Sequence, residues 1–380
     1  MKDRYTTVRT LTEKICAPLQ TEDYVVQPMP DASPPKWHLA HTTWFWEEFI
    51  LSKYIPSYQR FHPRYAFLFN SYYESVGERV LRLHRGNMSR PTVEEILAYR
   101  AYVDKHMLLF LDAMPTEAAS LVELGLHHEQ QHQELLYTDI KYILGHNPLF
   151  PSYRDDFHET ASMENDHRFT TLPDGQYAIG YNGSDFSFDN EHAYHTVHLS
   201  SFSIRKSLVT NGEYMEFMRD GGYNNPLLWY SDGWSWLKEK AIDSPLYWHP
   251  SGDRWQRYAL SGLEPVNPDE PVTHISFYEA AAFAEWKGMR LPTEFEWEAA
   301  AGTFTWGQRW EHVNSAYLPY PGYKRPAGAV GEYNGKFMIN QMVLRGASVA
   351  TPPGHARVTY RNFFYPQQRW QFNGIRLCKK

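Results

Sequence analysis

Leu126-His127-His128-Glu129-Gln130-Gln131-His132-Gln133-Glu134-Leu135-Leu136 lies mid-way along a predicted helix that spans Glu117 to Leu144 and ends at Gly145. His128 and His132, four residues apart, project from one helical face about 6 Å apart along the axis, a spacing at which two imidazoles can share a metal ion. Gln131 falls on nearly the same face, and His127 is turned roughly 100° away. Paired histidines also occur as solvated or satisfied core groups, so the spacing alone leaves both readings open. The string His128-Glu129-Gln130-Gln131-His132 also spells H-E-x-x-H, in which zinc peptidases use the histidines for zinc and the glutamate as general base. A zinc hydrolase is therefore a second reading, although it calls for a third ligand on a following nearby helix, and downstream lie a proline-bearing arm and a different domain.

The candidate third ligand lies upstream, in Trp37-His38-Leu39-Ala40-His41-Thr42-Thr43-Trp44-Phe45-Trp46-Glu47, where either His38 or His41 can face inward. Ser33-Pro34-Pro35 predicts the start of this helix, with Ser33 as a hydroxyl cap and prolines in the first turn, and the helix runs on to Leu51. A third helix is predicted from Pro91 to Leu111 and a short one from Thr7 to Leu19. Four helices suffice for a bundle, and bundles build metal sites from inward side chains on facing helices. After a connecting arm the text becomes glycine- and tryptophan-rich, with strand-like runs such as His195–Leu199 and Met342–Gly346. Two helices are expected there, near Asn211–Arg219 and Ser276–Lys287. The expected class is α+β, with a bundle over residues 1–150, an arm over 151–168 and a second domain over 169–380; about 100–200 residues per domain is the usual scale.

Composition narrows the function. Of 380 residues, 42% are hydrophobic and 16% aromatic, with a formal charge of -7, so the chain folds around a substantial core. The acidic balance gives no general attraction to nucleic acid or to anionic membrane, and no stretch approaches the roughly 18 apolar residues of a membrane helix. Two cysteines, Cys16 and Cys378, make neither a disulfide framework nor a CxxC pair, which fits a cytoplasmic location. Internal repeats, GxGxxG after a strand and GxxxxGK[ST] are all missing, so nucleotide binding has no support, and no protein partner is implied.

Several strings resemble one family. Trp37-His38-Leu39-Ala40-His41, Asn70-Ser71-Tyr72-Tyr73, Arg85-Gly86-Asn87-Met88-Ser89-Arg90-Pro91-Thr92 and His128 through Leu136 resemble the DinB-like four-helix domain of EgtB, the ergothioneine-biosynthetic sulfoxide synthase. His274-Ile275-Ser276-Phe277-Tyr278-Glu279-Ala280, Gly288 through Glu298 and Gly374-Ile375-Arg376-Leu377 resemble the formylglycine-generating-enzyme fold, a C-type-lectin-like domain. The resemblance implies an oxidoreductase that uses non-haem Fe(II) and O₂ to join a thiol to the imidazole of hercynine, Nα-trimethylhistidine, as a sulfoxide. It implies His41, His128 and His132 as iron ligands, Gln131 on the hercynine ring, and His38 in a supporting or packing role. Hercynine's quaternary ammonium, which cannot donate hydrogen bonds, should meet aromatic faces or screened carboxylates.

Two departures concern the thiol. Where relatives that use γ-glutamylcysteine carry an Asp and an Arg, the segment Asn362-Phe363-Phe364-Tyr365-Pro366-Gln367-Gln368-Arg369 has Phe364 and Gln368. Neither forms the salt bridges a γ-glutamyl group needs, which favours L-cysteine as donor. Its carboxylate then requires a cation, for which Arg82 and Arg85 are the candidates, and Asn362, Phe363 and Phe364 are expected on the substrate side. The Tyr72-Tyr73 pair matches the cysteine-using branch, in which a phenol supplies a proton during S–C coupling. Selenoneine synthases and histidine-using ovothiol-type enzymes are neighbouring alternatives.

Overall fold

The computed structural model describes residues 1–71, 73, 77–159, 166–327, 331 and 334–380. The chain divides into two compact units. The first comprises Met1–Asp155 with Ala327–Tyr333 and Ala350–His355; the second comprises Asp156–Pro326, Asn334–Val349 and Ala356–Lys380.

In the first unit, α1 (Lys2–Cys16) is followed by α2 (Pro35–Phe45), a π-helical turn (Trp46–Leu51) and α3 (Ser52–Tyr54). A short α4 (Tyr65–Phe69) precedes α5 (Val93–Asp112) and α6 (Ala119–Gly145). Helix α5 opens with a capping box in which the Thr92 hydroxyl accepts from Glu95 N and the Glu95 carboxylate accepts from Thr92 N, the pattern a T-x-x-E sequence dictates. Every residue of α2 is buried, so it is the central helix, wrapped by the others. A buried polar brace fixes their mutual register. Arg9 of α1 donates to Glu129 of α6 (3.0 Å) and to Thr43 of α2 (3.0 Å), and Arg100 of α5 donates to Glu129 (3.2 Å) and to the Leu39 carbonyl of α2 (3.2 Å).

Two expectations change here. Helix α1 begins at Lys2 rather than Thr7, because Lys2 and Arg4 anchor its first turn to Asp112 and Glu123. Ser33 does not cap α2: Pro34 occupies the cap position, the Ser33 N–H donates to Asp139 (2.8 Å), and its hydroxyl accepts from Arg85 (2.9 Å).

The second unit is built on small sheets. Strands β1 (Phe169–Leu172), β2 (Gly175–Ile179), β3 (His195–Leu199) and β4 (Phe202–Arg205) precede α7 (Asn211–Arg219) and α8 (Ser231–Lys240). Then come β5 (Trp248–Ser251), β6 (Arg254–Ala259), β7 (Gly262–Pro265), α9 (Phe277–Trp286), β8 (Met289–Arg290) and α10 (Glu294–Ala300). The chain finishes with β9 (Trp310–Ala316), β10 (Met342–Gly346), β11 (Asn362–Phe364), β12 (Asn373–Ile375) and β13 (Cys378–Lys379). One sheet has the order β1-β4-β13-β8 and another β11-β10-β9-β12; β2-β3 is a hairpin and β5-β6-β7 a meander. Buried pairs such as Arg376–Glu311 (2.6 Å) and Arg361–Glu294 (2.8 Å) join strands to α10 and its surroundings.

Helices α8 and α10 are additions to the two expected. The former contains Gly233, whose missing Cβ would lie 2.7 Å from the Tyr278 ring, so close packing on α9 overrides the glycine's poor helix propensity.

Candidate metal centre

Helices α2 and α6 face each other in the bundle core and bring His41, His128 and His132 together, with one ligand nitrogen from each lying within 4.8 Å of the other two. All three are buried, at 0%, 1% and 9% exposure. Burial drives their pKa values down: His128 falls to about 3, while His41 and His132 lie well below the usual histidine range through burial and then repulsion from neighbouring imidazoles. The neutral ring is the form that ligates a metal.

Each orientation has a local cause. His41 Nδ1 donates to the Phe69 carbonyl (2.6 Å), which leaves the lone pair on Nε2, a buried atom with no hydrogen-bond partner. The Trp37 and Trp44 rings stack on its two faces, at centroid distances of 4.5 and 5.3 Å. Phe45 stacks on His128 (4.7 Å), an approach that Gly125 permits, since a Cβ there would strike Trp46 at 2.6 Å and Phe45 at 2.9 Å. His132 Nδ1 lies 2.8 Å from His38 Nδ1, and His38 Nε2 lies 2.9 Å from Asp139 Oδ2. A carboxylate oxygen only accepts, so His38 donates from Nε2 and accepts at Nδ1, and His132 donates from Nδ1 and keeps its Nε2 lone pair. His38 thus holds the His132 ring and, among the described residues, stands outside the three-histidine cluster itself.

The surroundings contain further buried polar atoms without protein partners: Trp37 Nε1, Trp44 Nε1, Arg85 Nε and Asp139 Oδ1. Folded proteins rarely leave such groups orphaned, so water or a ligand is expected to complete them. Arg85 is 5% exposed, sits 3.4 Å above the Trp37 ring centroid, and donates to Ser33 (2.9 Å) and Ser71 (3.0 Å). It makes no ion pair among the described residues. Burial and then the neighbouring Arg82 disfavour its charge, which a guanidinium cannot shed and which the buried Asp139 offsets only in part, so an incoming anion would be favoured there. Arg82, by contrast, is exposed and bound to Asp31 through both carbonyl and carboxylate. The structure thus separates the two arginines.

Glu129 is the residue that decides the H-E-x-x-H reading. It is fully buried and accepts from Thr12 (2.7 Å), Arg9 (3.0 Å), Trp46 (3.0 Å) and Arg100 (3.2 Å). Burial alone would raise its pKa, but Arg9 and Arg100, with the Trp46 and Thr12 hydrogen bonds, hold it at about 2. A carboxylate with its lone pairs committed in this way is a structural brace, and no general base remains for the hydrolase chemistry.

Of the other expected residues, Tyr73 is buried and its ring meets Trp44 (5.6 Å) and Phe49 (5.3 Å), one ring removed from His41. Tyr72 lies outside the described residues. Gln131 is partly buried on α6. In the second unit, Phe363 stacks on Tyr317 (4.0 Å) within an apolar cluster, Phe364 packs against Trp370 (5.9 Å), and the Asn362 side chain accepts from Phe363 N. The Gln368 side chain closes a turn by accepting from Tyr365 N (3.0 Å). Sequence reading missed Asp139, whose only signal is its position seven residues, two helical turns, beyond His132. It also missed His355, whose Nδ1 lies 3.0 Å from His127 Nδ1. Both cysteines are buried and free, and burial pushes each thiol up to about 12, so neither offers a thiolate. No helix among the described residues is long and apolar enough to cross a membrane.

Residues 4–136 match the DinB superfamily, and residues 155–317 match the sulfatase-modifying factor enzyme 1-like domain. The two in this order, with the histidine cluster in the first, support an EgtB-type oxidoreductase. The chain is 29% identical over 411 aligned positions to the hercynine oxygenase of Mycolicibacterium smegmatis, covering 92% of this chain and 91% of that one. It is 27% identical to the hercynine oxygenase of Mycolicibacterium thermoresistibile, covering 92% and 88% respectively. The second part alone is 30% identical over 151 residues to the formylglycine-generating enzyme of Streptomyces coelicolor, 37% of this chain and 48% of that one.

Proposed function

We propose that the protein is an Fe(II)-dependent sulfoxide synthase that joins the sulfur of L-cysteine to the imidazole of hercynine at the expense of O₂. The imidazole C–H and the thiol S–H are lost, a C–S bond and an S=O bond form, and the second oxygen atom leaves as water. The observation that carries this reading is the set of three buried, neutral imidazoles whose ligand nitrogens converge within 4.8 Å, in a chain similar over 92% of its length to hercynine oxygenases. His41, His128 and His132 would hold the iron; three neutral ligands leave its charge intact and several positions open. Bound there, iron supplies oxygen activation and a cationic seat for a thiolate.

The chain's own residues do the rest. Arg85 takes the cysteine carboxylate, because it is the buried guanidinium beside the cluster that makes no ion pair among the described residues. Gln131 is assigned to the hercynine ring, and Trp37 and Trp44 hold His41 in plane. Tyr73 Oη, or that of Tyr72, delivers the proton. On β11, Asn362 and Phe364 share one face, whereas Phe363, on the other face, is committed to the Tyr317 stack; the assignment of Asn362 and Phe364 to substrate follows from the sequence resemblance. Phe364 and the turn-bound Gln368 favour cysteine over γ-glutamylcysteine. Buried free cysteines fit a reducing, cytoplasmic setting.

The test is anaerobic loading with Fe(II), then hercynine with cysteine or γ-glutamylcysteine under O₂, read by mass spectrometry. The expected product is hercynylcysteine sulfoxide from cysteine. Preference for γ-glutamylcysteine, for a selenium donor or for unmethylated histidine would overturn the substrate assignment, and oxygen-independent hydrolysis with zinc would overturn the whole reading.

A further inference from the structure

Two carboxylates are buried on α6, and they are treated differently. Glu129 is neutralised by two guanidinium groups. Asp139, 2% exposed, forms no ion pair with a lysine or arginine among the described residues. Its Oδ2 accepts from the Ser33 N–H at 2.8 Å and from His38 Nε2 at 2.9 Å, and its Oδ1 has no partner among the described residues. A buried carboxylate is costly unless positive charge repays it, and here the buried Arg85, joined to Asp139 through Ser33, offsets it at longer range without an ion pair. The chain Asp139–His38–His132 leads from that carboxylate into the cluster, with His38 only 2% exposed and both of its ring nitrogens engaged.

We propose that Asp139 and His38 are positioning residues of the metal centre, Asp139 fixing the His38 ring and His38 fixing the ring orientation of His132. The proposal rests on the reading of His41, His128 and His132 as metal ligands. The Ser33 N–H serves to hold Asp139 Oδ2 in line from the start of α2, so the alignment joins both ligand-bearing helices. Carboxylate–imidazole support of this kind typically changes metal affinity by about 10–100-fold when removed.

The experiment titrates the metal-free full-length protein with Co(II), recording affinity and visible absorption, for the wild type, His38→Gln, Asp139→Ala, Asp139→Asn and His41→Ala, with circular dichroism and thermal unfolding as fold controls. The expected result is one tight site in the wild type, a 10–100-fold weaker site with altered absorption bands in His38→Gln and Asp139→Ala, and substantial recovery in Asp139→Asn, which keeps an acceptor oxygen of the same shape. A purely structural role would move the unfolding midpoint and leave affinity and spectrum alone. Affinities and bands within twofold of wild type in His38→Gln and in Asp139→Asn, the two variants least disruptive to folding, together with an unshifted Asp139→Ala, overturn the proposal while the metal reading stands. A wild type that takes up no Co(II), or His41→Ala binding as well as wild type, overturns the metal reading and the proposal with it.

Discussion

Two adjacent residues of α6, His128 and Glu129, face opposite fates. His128 belongs to a cluster of neutral imidazoles stripped of charge by burial, whereas Glu129 keeps its charge because four donors from α1, the π-helical turn and α5 surround it. One helical step of about 100° separates the face of the proposed ligands from a brace face. A short motif therefore specifies neighbours on a helix and not a reaction; the partners that each side chain meets decide between zinc hydrolysis and oxygen chemistry.

That contrast can be broken most forcefully on the ligand face. His128→Ala should lower metal affinity by more than about 100-fold, beyond the effect of losing a supporting residue, and abolish turnover, measured as metal content after anaerobic loading. On the brace face, Glu129→Ala leaves Arg9 and Arg100 buried without their counter-charge and should destabilise the unit by about 3–5 kcal/mol in urea unfolding, while protein that remains folded still binds one metal ion. Loss of metal binding in well-folded Glu129→Ala would erase the distinction between the faces.

Acid sharpens the same contrast. His128 has a folded pKa of about 3 against an ordinary 6.5, so the unfolded chain binds more protons between those values. Stability of the metal-free protein is fully present above about pH 6.5 and is lost as pH falls toward 3, by a few kcal/mol at about 1.4 kcal/mol per pKa unit. Glu129, depressed to about 2, contributes in the lower window, with stability present above its ordinary value of 4.5 and lost as pH falls through 2. In His128→Ala the slope of stability against pH between 6.5 and 4.5 should flatten. Smallest is the effect of Arg85→Lys, which keeps a charge but loses the planar fork stacked on Trp37; KM for cysteine should rise about 10-fold with metal affinity unchanged.

Much of this was written plainly along the chain. Helices α2, α5 and α6 announce themselves through prolines, a capping box and a terminal glycine, and the i, i+4 histidines through spacing alone. Helix α10 carries an equally legible box, Thr293 with Glu296, yet its seven residues are too short for periodicity to register. Other features needed the fold. The difference between Arg82 and Arg85 arises from Asp31 on one side and from Ser33, Ser71 and Trp37 on the other, contacts spanning up to 52 residues of sequence. Asp139 looks like any polar residue of a long helix until Ser33 and His38 are seen to converge on its oxygen.

The segment Ala350–His355 belongs to the first unit, where His355 meets His127, Thr351 donates to Glu134 (2.9 Å) and the Pro353 carbonyl accepts from Gln130. These contacts touch α6 at 127, 130 and 134, a stripe interleaved with the ligand histidines. A ribosome releases the four long helices well before this stripe's cover, which lies 217 to 228 residues further along the chain. The unit that begins first during synthesis is thus covered on this stripe only after most of the second unit has been made.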